Sequence, residues 1–303
     1  MTSTTERLLD DATVTAFARD GFVVVPGLLT SAELDRYGAA VTDAVADRTR
    51  HDPTPLEEKS RYQQSFVQCM NLWEDHPEVA PLVFHPRVGQ AAAELLGVPA
   101  VRLWHDQALY KRAGGRVTDP HQDHPYWPIK ETASVTAWVP FEGSTADSGA
   151  MSYLPGTHAI GLRKFVNIFF GEPEDLLADP EVAGIAPVLV EVPKGSVAFH
   201  HGLTVHLAGA NRTDRDRAVQ TMIYFPDGST RGYPFPHFAV ERSGIEVGNA
   251  IDGDVTPIAW PRPADAPIPP LPAVPFDVLP VIANTGATPA LPAWRASRSA
   301  SSR

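Results

Sequence analysis

The sequence predicts a mainly β protein with flanking helices, an antiparallel sandwich or jelly roll with its helices packed outside. Three observations predict it. Helical periodicity is concentrated in the first hundred residues, short apolar or alternating runs begin at Val101, and Gly, Pro and Asp turns separate those runs.

In chain order, Leu8, Leu9, Val14, Phe17 and Ala18 have helical spacing across residues 8–19, and "DGFVVVPGLL" then reads as a turn and a short buried strand. "TSAELDRYGAAVTDAVADRT" is a second helix with Thr30 or Ser31 as its cap. Residues 51–75 show no assignable period. "HPRVGQAAAELLGV" is a third helix closed by Gly97. The predicted strands are 101–111, 132–141, 149–154, 187–192, 196–200, 203–207 and 217–225. The expected organisation is one domain over 1–255, with helices in 1–99 and the β core at about 100–240. The Pro/Ala-rich stretch 256–303 is expected to be an extended or disordered tail without chemistry.

Composition narrows the function. A chain of 303 residues, 43% hydrophobic and 20% charged, suits a globular fold. A net charge of −11 without a basic run argues against nucleic acid or an anionic membrane and favours a small-molecule substrate. No apolar run is long enough to span a bilayer and the first residues lack signal-peptide order, so a cytoplasmic protein is expected. The single cysteine, Cys69, excludes an internal disulfide and a cysteine-rich zinc site; it is expected to be a buried apolar residue.

The stretch "TDPHQDHPYWPI" (118–129) places His121 and Asp123 two residues apart. In an extended segment such residues project to one side and can chelate a metal, while Gln122 faces away. Such a pair arises by chance about once in a chain of this composition, so it carries weight only with a third ligand. "GSVAFHHGLTVHLAGANRTDRDRAVQTMIYF" offers one from His200, His201 or His206, completing two histidines and a carboxylate with open positions for co-substrate and dioxygen. Arg217, eleven residues beyond His206, can clamp a carboxylate through two hydrogen bonds.

His121-x-Asp123, "GAMSYLPGTH" (149–158), "GSVAFHHGLTVHLAGAN" and Arg217, in that order, resemble the phytanoyl-CoA dioxygenase family of Fe(II)- and 2-oxoglutarate-dependent oxygenases over about residues 12–240. The resemblance implies a double-stranded β-helix, the cupin-like jelly roll. It implies Fe(II) held by His121, Asp123 and His206, 2-oxoglutarate bound at its distal carboxylate by Arg217, and dioxygen as oxidant. His200 and His201 are then not ligands but packing or hydrogen-bonding neighbours. Gln107 and Trp138 match co-substrate positions, although either also fits a plain interior role. Ala208 departs from the pattern, since many members carry a serine hydroxyl there. Related halogenases lose the carboxylate so that chloride can bind; Asp123 is present here, which favours hydroxylation over halogenation, with desaturation, ring formation or epimerisation open.

On the substrate side stand His124, Tyr126 and Trp127, a possible lid at 61–73, and Lys111 and His105 as possible lining. A metabolite or natural-product tailoring step is the expected role, and an acidic chain without an evident basic patch disfavours a CoA thioester. Two alternatives stay open: a non-oxidative zinc or manganese enzyme using the same ligands, which has no need of Arg217, and a non-catalytic binding protein.

Overall fold

A computed structural model describes residues 6–168, 175–262 and 268–274. Helix α1 (Asp11–Asp20) starts where Asp10 Oδ1 accepts the Thr13 N–H at 2.7 Å, and ends at Gly21 with φ of 81°. A Cβ at Gly21 would lie 2.4 Å from Thr204 Oγ1, so the left-handed turn and the close approach both require glycine. Strand β1 (Phe22–Val25) follows, then α2 (Ser31–Thr49), whose Thr30 and Glu33 form a reciprocal cap. The stretch without assignable period holds α3 (Arg61–Ser65) and strand β2 (Val67–Met70). Short α4 (Ala80–Val83) and α5 (Pro86–Leu96) complete the N-terminal helices.

The remaining strands are β3 (Val101–Lys111), β4 (Thr118–His121), β5 (Val135–Pro140), β6 (Met151–Tyr153), β7 (Val188–Val190), β8 (Val197–His201), β9 (His206–Ala208), β10 (Arg217–Pro226) and β11 (Ile258–Trp260). All pairings between them are antiparallel. They form a jelly roll of two sheets, a large one in the order β1-β8-β5-β10-β3-β11 with β2 also on β3, and a small one in the order β4-β9-β6-β7. Short helices α6 (Thr157–Ile160) and α7 (Phe238–Glu241) lie in connections.

Alternation along the strands gives the large sheet two different faces. Ala108, Tyr110, Met222, Tyr224, Val139 and Phe199 pack with Val41, Val88 and Ala92 of α2 and α5 in the main core. On the other face Trp138, Ala198 and Val219 meet Met151, Tyr153 and Ala208 of the small sheet. Cys69 lies in the main core, where burial pushes its thiol up to about 12, so the apolar reading holds.

Two expectations need correction. The tail boundary falls too early, because Ile258–Trp260 pairs with Val101 and Arg102 at the sheet edge and Ala259 is buried. The flanking prolines hide this short strand, although an edge is where proline is tolerated. Strand β4 lies inside the metal motif, where no strand was predicted; the rest of the tail, 263–267 and 275–303, lies outside the described residues. Among the described residues no helix is long and apolar enough to cross a membrane.

Candidate metal and co-substrate site

Strand pairing brings the predicted ligands together. His121 ends β4 directly opposite His206, the first residue of β9, and their rings lie 4.3 Å apart between centroids. The Nδ1 atoms lie 2.8 Å from Asp119 O and 2.9 Å from Thr204 O. Each carbonyl accepts the Nδ1 N–H, which leaves Nε2 unprotonated with its lone pair free to bind a metal.

Asp123 arrives by a different route from the one its spacing suggested. It has helical backbone angles (φ −77°, ψ −43°) and leads into a 3₁₀ turn at His124–Tyr126, so a turn after β4, not extended alternation, aims its carboxylate. Gln122 holds that turn. Its amide donates to Leu203 O at 2.6 Å and Gly161 O at 3.0 Å and accepts from Arg163 N at 2.8 Å, while His124 N donates to Gly202 O at 2.9 Å. The residue expected merely to face away therefore ties the motif to the turn that delivers His206.

Asp123 Oδ1 lies 3.7 Å from His121 Nε2 and 3.6 Å from His206 Nε2, and one donor atom from each of the three residues falls within 4.8 Å of the others. Oδ2 points away and is held by His200 Nε2 and Thr136 Oγ1, each at 3.1 Å. Tyr153, opposite His206 on β6, approaches His200 Nδ1 at 3.4 Å, which leaves His200 Nε2 to donate to the carboxylate. His200 is thus a hydrogen-bonding neighbour. His201 turns outward against His158 and Phe17 and accepts the Leu203 N–H. Spacing gave no signal for Thr136 or Tyr153, because both arrive from other strands.

Electrostatics favour the ligand forms. Burial opposes ionisation of Asp123, but His206, His200 and His121 outweigh it and hold the carboxyl well below its usual range. Burial, with each ring's imidazole neighbour, pulls His121 and His206 down to about 4, so both are neutral at pH 7. Two neutral imidazoles and one carboxylate fit a divalent first-row cation with open coordination positions.

The co-substrate candidates stand on the inner face of the large sheet. Arg217 opens β10, is buried, and donates from Nη1 to Gly149 O; its guanidinium lies 5.1 Å from the Trp138 ring centroid. Its Nε has no hydrogen-bond partner. Such an orphaned, buried, charged donor is costly unless an anion meets it. Trp138 and Gln107 flank Thr221 on adjacent strands. Gln107 accepts from Gln68 Nε2, and Gln68 in turn accepts the Tyr62 hydroxyl at 2.6 Å.

Other predicted site residues divide. Tyr126 lies 6.3 Å from His121 and 5.0 Å from Phe165 between ring centroids, beside the metal triad. His124 is buried against Ser134 Oγ and Ile129 O, and Trp127 and His105 join an aromatic cluster with Trp104 and Phe238. The stretch 61–73, expected as a lid, holds the sheet strand β2, and Trp73 lies in the main core.

The sequence model described as Phytanoyl-CoA dioxygenase (PhyH) matches residues 17–219. A probable phytanoyl-CoA dioxygenase of Caenorhabditis elegans is 23% identical over 239 residues, covering 71% of this chain and 75% of the relative. Among solved structures, the non-heme alpha ketoglutarate dependent carbocyclase SnoK from nogalamycin biosynthesis superposes with a TM-score of 0.70 at 26% identity, covering 82% of this chain and 96% of its own. The epimerase SnoN of the same biosynthesis gives 0.67 at 25% identity, covering 82% and 97%.

Proposed function

The chain belongs to the phytanoyl-CoA dioxygenase family, and on that premise we propose that it oxidises an unactivated C–H bond of a small metabolite or natural product as a tailoring step, with hydroxylation the first outcome. It is a dioxygenase that uses Fe(II), 2-oxoglutarate and dioxygen. Bound together, these supply the oxidation: dioxygen is consumed, 2-oxoglutarate becomes succinate and CO2, and a substrate C–H bond is oxidised.

The protein's own residues supply placement. His121, Asp123 and His206 would hold the metal from one side, with His200 and Thr136 fixing the orientation of the carboxylate. Arg217 would bind the distal carboxylate of 2-oxoglutarate, and Trp138 would shape the wall beside it. Gln107, its carbonyl engaged by Gln68, would offer its amide N–H pair to the cavity. Tyr126, with its ring 6.3 Å from that of His121, would stand on the substrate side. The likeness to a carbocyclase and an epimerase supports a natural-product substrate and keeps ring formation and epimerisation as alternative outcomes of the same oxidation.

One observation carries this reading over a hydrolytic or isomerising use of the triad: Arg217 is buried with an orphaned Nε. A zinc or manganese enzyme without 2-oxoglutarate would leave that charge uncompensated. The test is anaerobic addition of Fe(II) and 2-oxoglutarate to apoprotein. A weak visible metal-to-ligand charge-transfer band that needs both additions, and weakens in Arg217→Ala, is the expected result. Tight zinc binding with no band would favour the non-oxidative reading.

A further inference from the structure

Lys111 is fully buried at the end of β3, and Arg217 is its cross-strand partner on β10. Directly paired residues project to the same side of a sheet, with Cβ atoms about 4.5–5.5 Å apart. Two basic side chains therefore share one enclosed place between the sheets. Among the described residues neither forms an ion pair; the nearby Asp119 is engaged by Arg61 at 3.2 Å and Arg116 at 3.1 Å. Lys111 Nζ donates instead to Arg116 O at 2.6 Å and approaches Thr118 Oγ1 at 3.3 Å.

Thr118 opens β4 directly opposite Ala208. A hydroxyl thus stands across from the position where Ala208 lacks one, and Lys111 reaches it. Gly149 closes the group: its carbonyl accepts from Arg217, and a Cβ there would sit 2.8 Å from Lys111 Cδ and 2.6 Å from Gly209 O. Only glycine lets the two basic side chains and that backbone meet.

We propose that Lys111 and Thr118 form the second half of the seat for the distal carboxylate of 2-oxoglutarate, and that Lys111 takes up a proton when the co-substrate binds. This rests on the placement of that carboxylate at Arg217. In the free protein burial first, then Arg217 and Arg116, pull the Lys111 ammonium down to about 6, with Asp119 acting in the opposite sense. Those are the charged groups facing it, Arg217 from β10 and Arg116 and Asp119 from β4 and the turn before it; Gly149 and Asn211, which donates to Lys111 O, add no charge. An arriving carboxylate reverses the balance and favours the ammonium. Between about pH 6 and the ordinary lysine range, the free side chain is neutral and the occupied one charged. Binding then takes up to one proton, and affinity falls by up to about tenfold per pH unit as pH rises.

The test is calorimetric titration of 2-oxoglutarate into Mn(II)-loaded protein at pH 8, in buffers of different ionisation heat, so that the slope counts protons. Uptake close to one proton in the wild type and close to none in Lys111→Met is the expected result. Lys111→Arg, which stays charged, should bind the co-substrate without proton uptake, and keeps the test decisive should the methionine variant fold poorly. Binding without uptake in the wild type, or equal uptake in the variants, overturns the proposal alone. Co-substrate binding that Arg217→Ala leaves untouched overturns the placement on which it rests.

Discussion

The two faces of the large sheet come from the same strands yet do opposite work. On β3 and β10 the outer residues Ala108, Tyr110, Met222 and Tyr224 meet helices, while the inner residues Gln107, Lys111, Arg217 and Thr221 lie toward the small sheet and the metal triad. On these two strands the outer face is apolar apart from Asp106 and Gln220, which bond to each other at 2.7 Å and leave Asp106 Oδ1 and Gln220 Oε1 without partners. The inner face is crowded with polar groups, and among those at the site Arg217 Nε has no hydrogen-bond partner. The difference teaches where an unsatisfied group points to function. On the inner face a bound co-substrate can complete it, and on the outer face it is only a cost to stability.

Substitutions on either face can break or sharpen this contrast. The largest expected effect is on the ligands: His121→Ala or His206→Ala should reduce iron-dependent succinate release to background, and near-normal turnover in either would refute the assignment. Next, Arg217→Ala removes a charged hydrogen-bond donor worth about 1.5–3 kcal/mol, so the 2-oxoglutarate KM should rise about 10- to 100-fold while the substrate KM moves little. Thr136→Val deletes one of two bonds to Asp123 Oδ2 and should weaken Fe(II) binding about tenfold, read by competition with a chelator.

The smallest effect on activity belongs to the outer face. Burial pushes the Asp106 carboxyl up to about 7, so the folded state binds more protons than the unfolded one between about pH 4 and 7, and stability falls as pH rises through that range. Asp106→Asn removes this charge and should gain about 1–3 kcal/mol at pH 8 and less at pH 5, with turnover unchanged. Equal gains at both pH values, measured by thermal melts, would show that burial does not raise the Asp106 carboxyl in the fold.

Much of both faces was legible in the chain. The 101–111 and 217–225 strands match β3 and β10 almost to the residue, because long alternating runs between turns leave little choice. Motif spacing paired His121 with Asp123 and left His200, His201 and His206 open as the third ligand, and the family resemblance pointed to His206 and Arg217. Strands β2, β4 and β11 were not, because each has three or four residues and carries proline or no period of its own. Thr136, Tyr153, Thr118 and Gln68 were equally hidden, since each acts across a strand pairing, where sequence distance says nothing.

By itself the sequence determined the fold class and named the candidate ligands and clamp, because these depend on residue type, periodicity and the order of motifs along the chain. Only the tertiary structure decided that Asp123 is aimed by a turn held by Gln122, that His200 and not His201 supports it, and that Lys111 shares a buried place with Arg217. The physical reason is register. An antiparallel pairing chooses which side chains of distant segments meet, and no property of either segment alone fixes that choice.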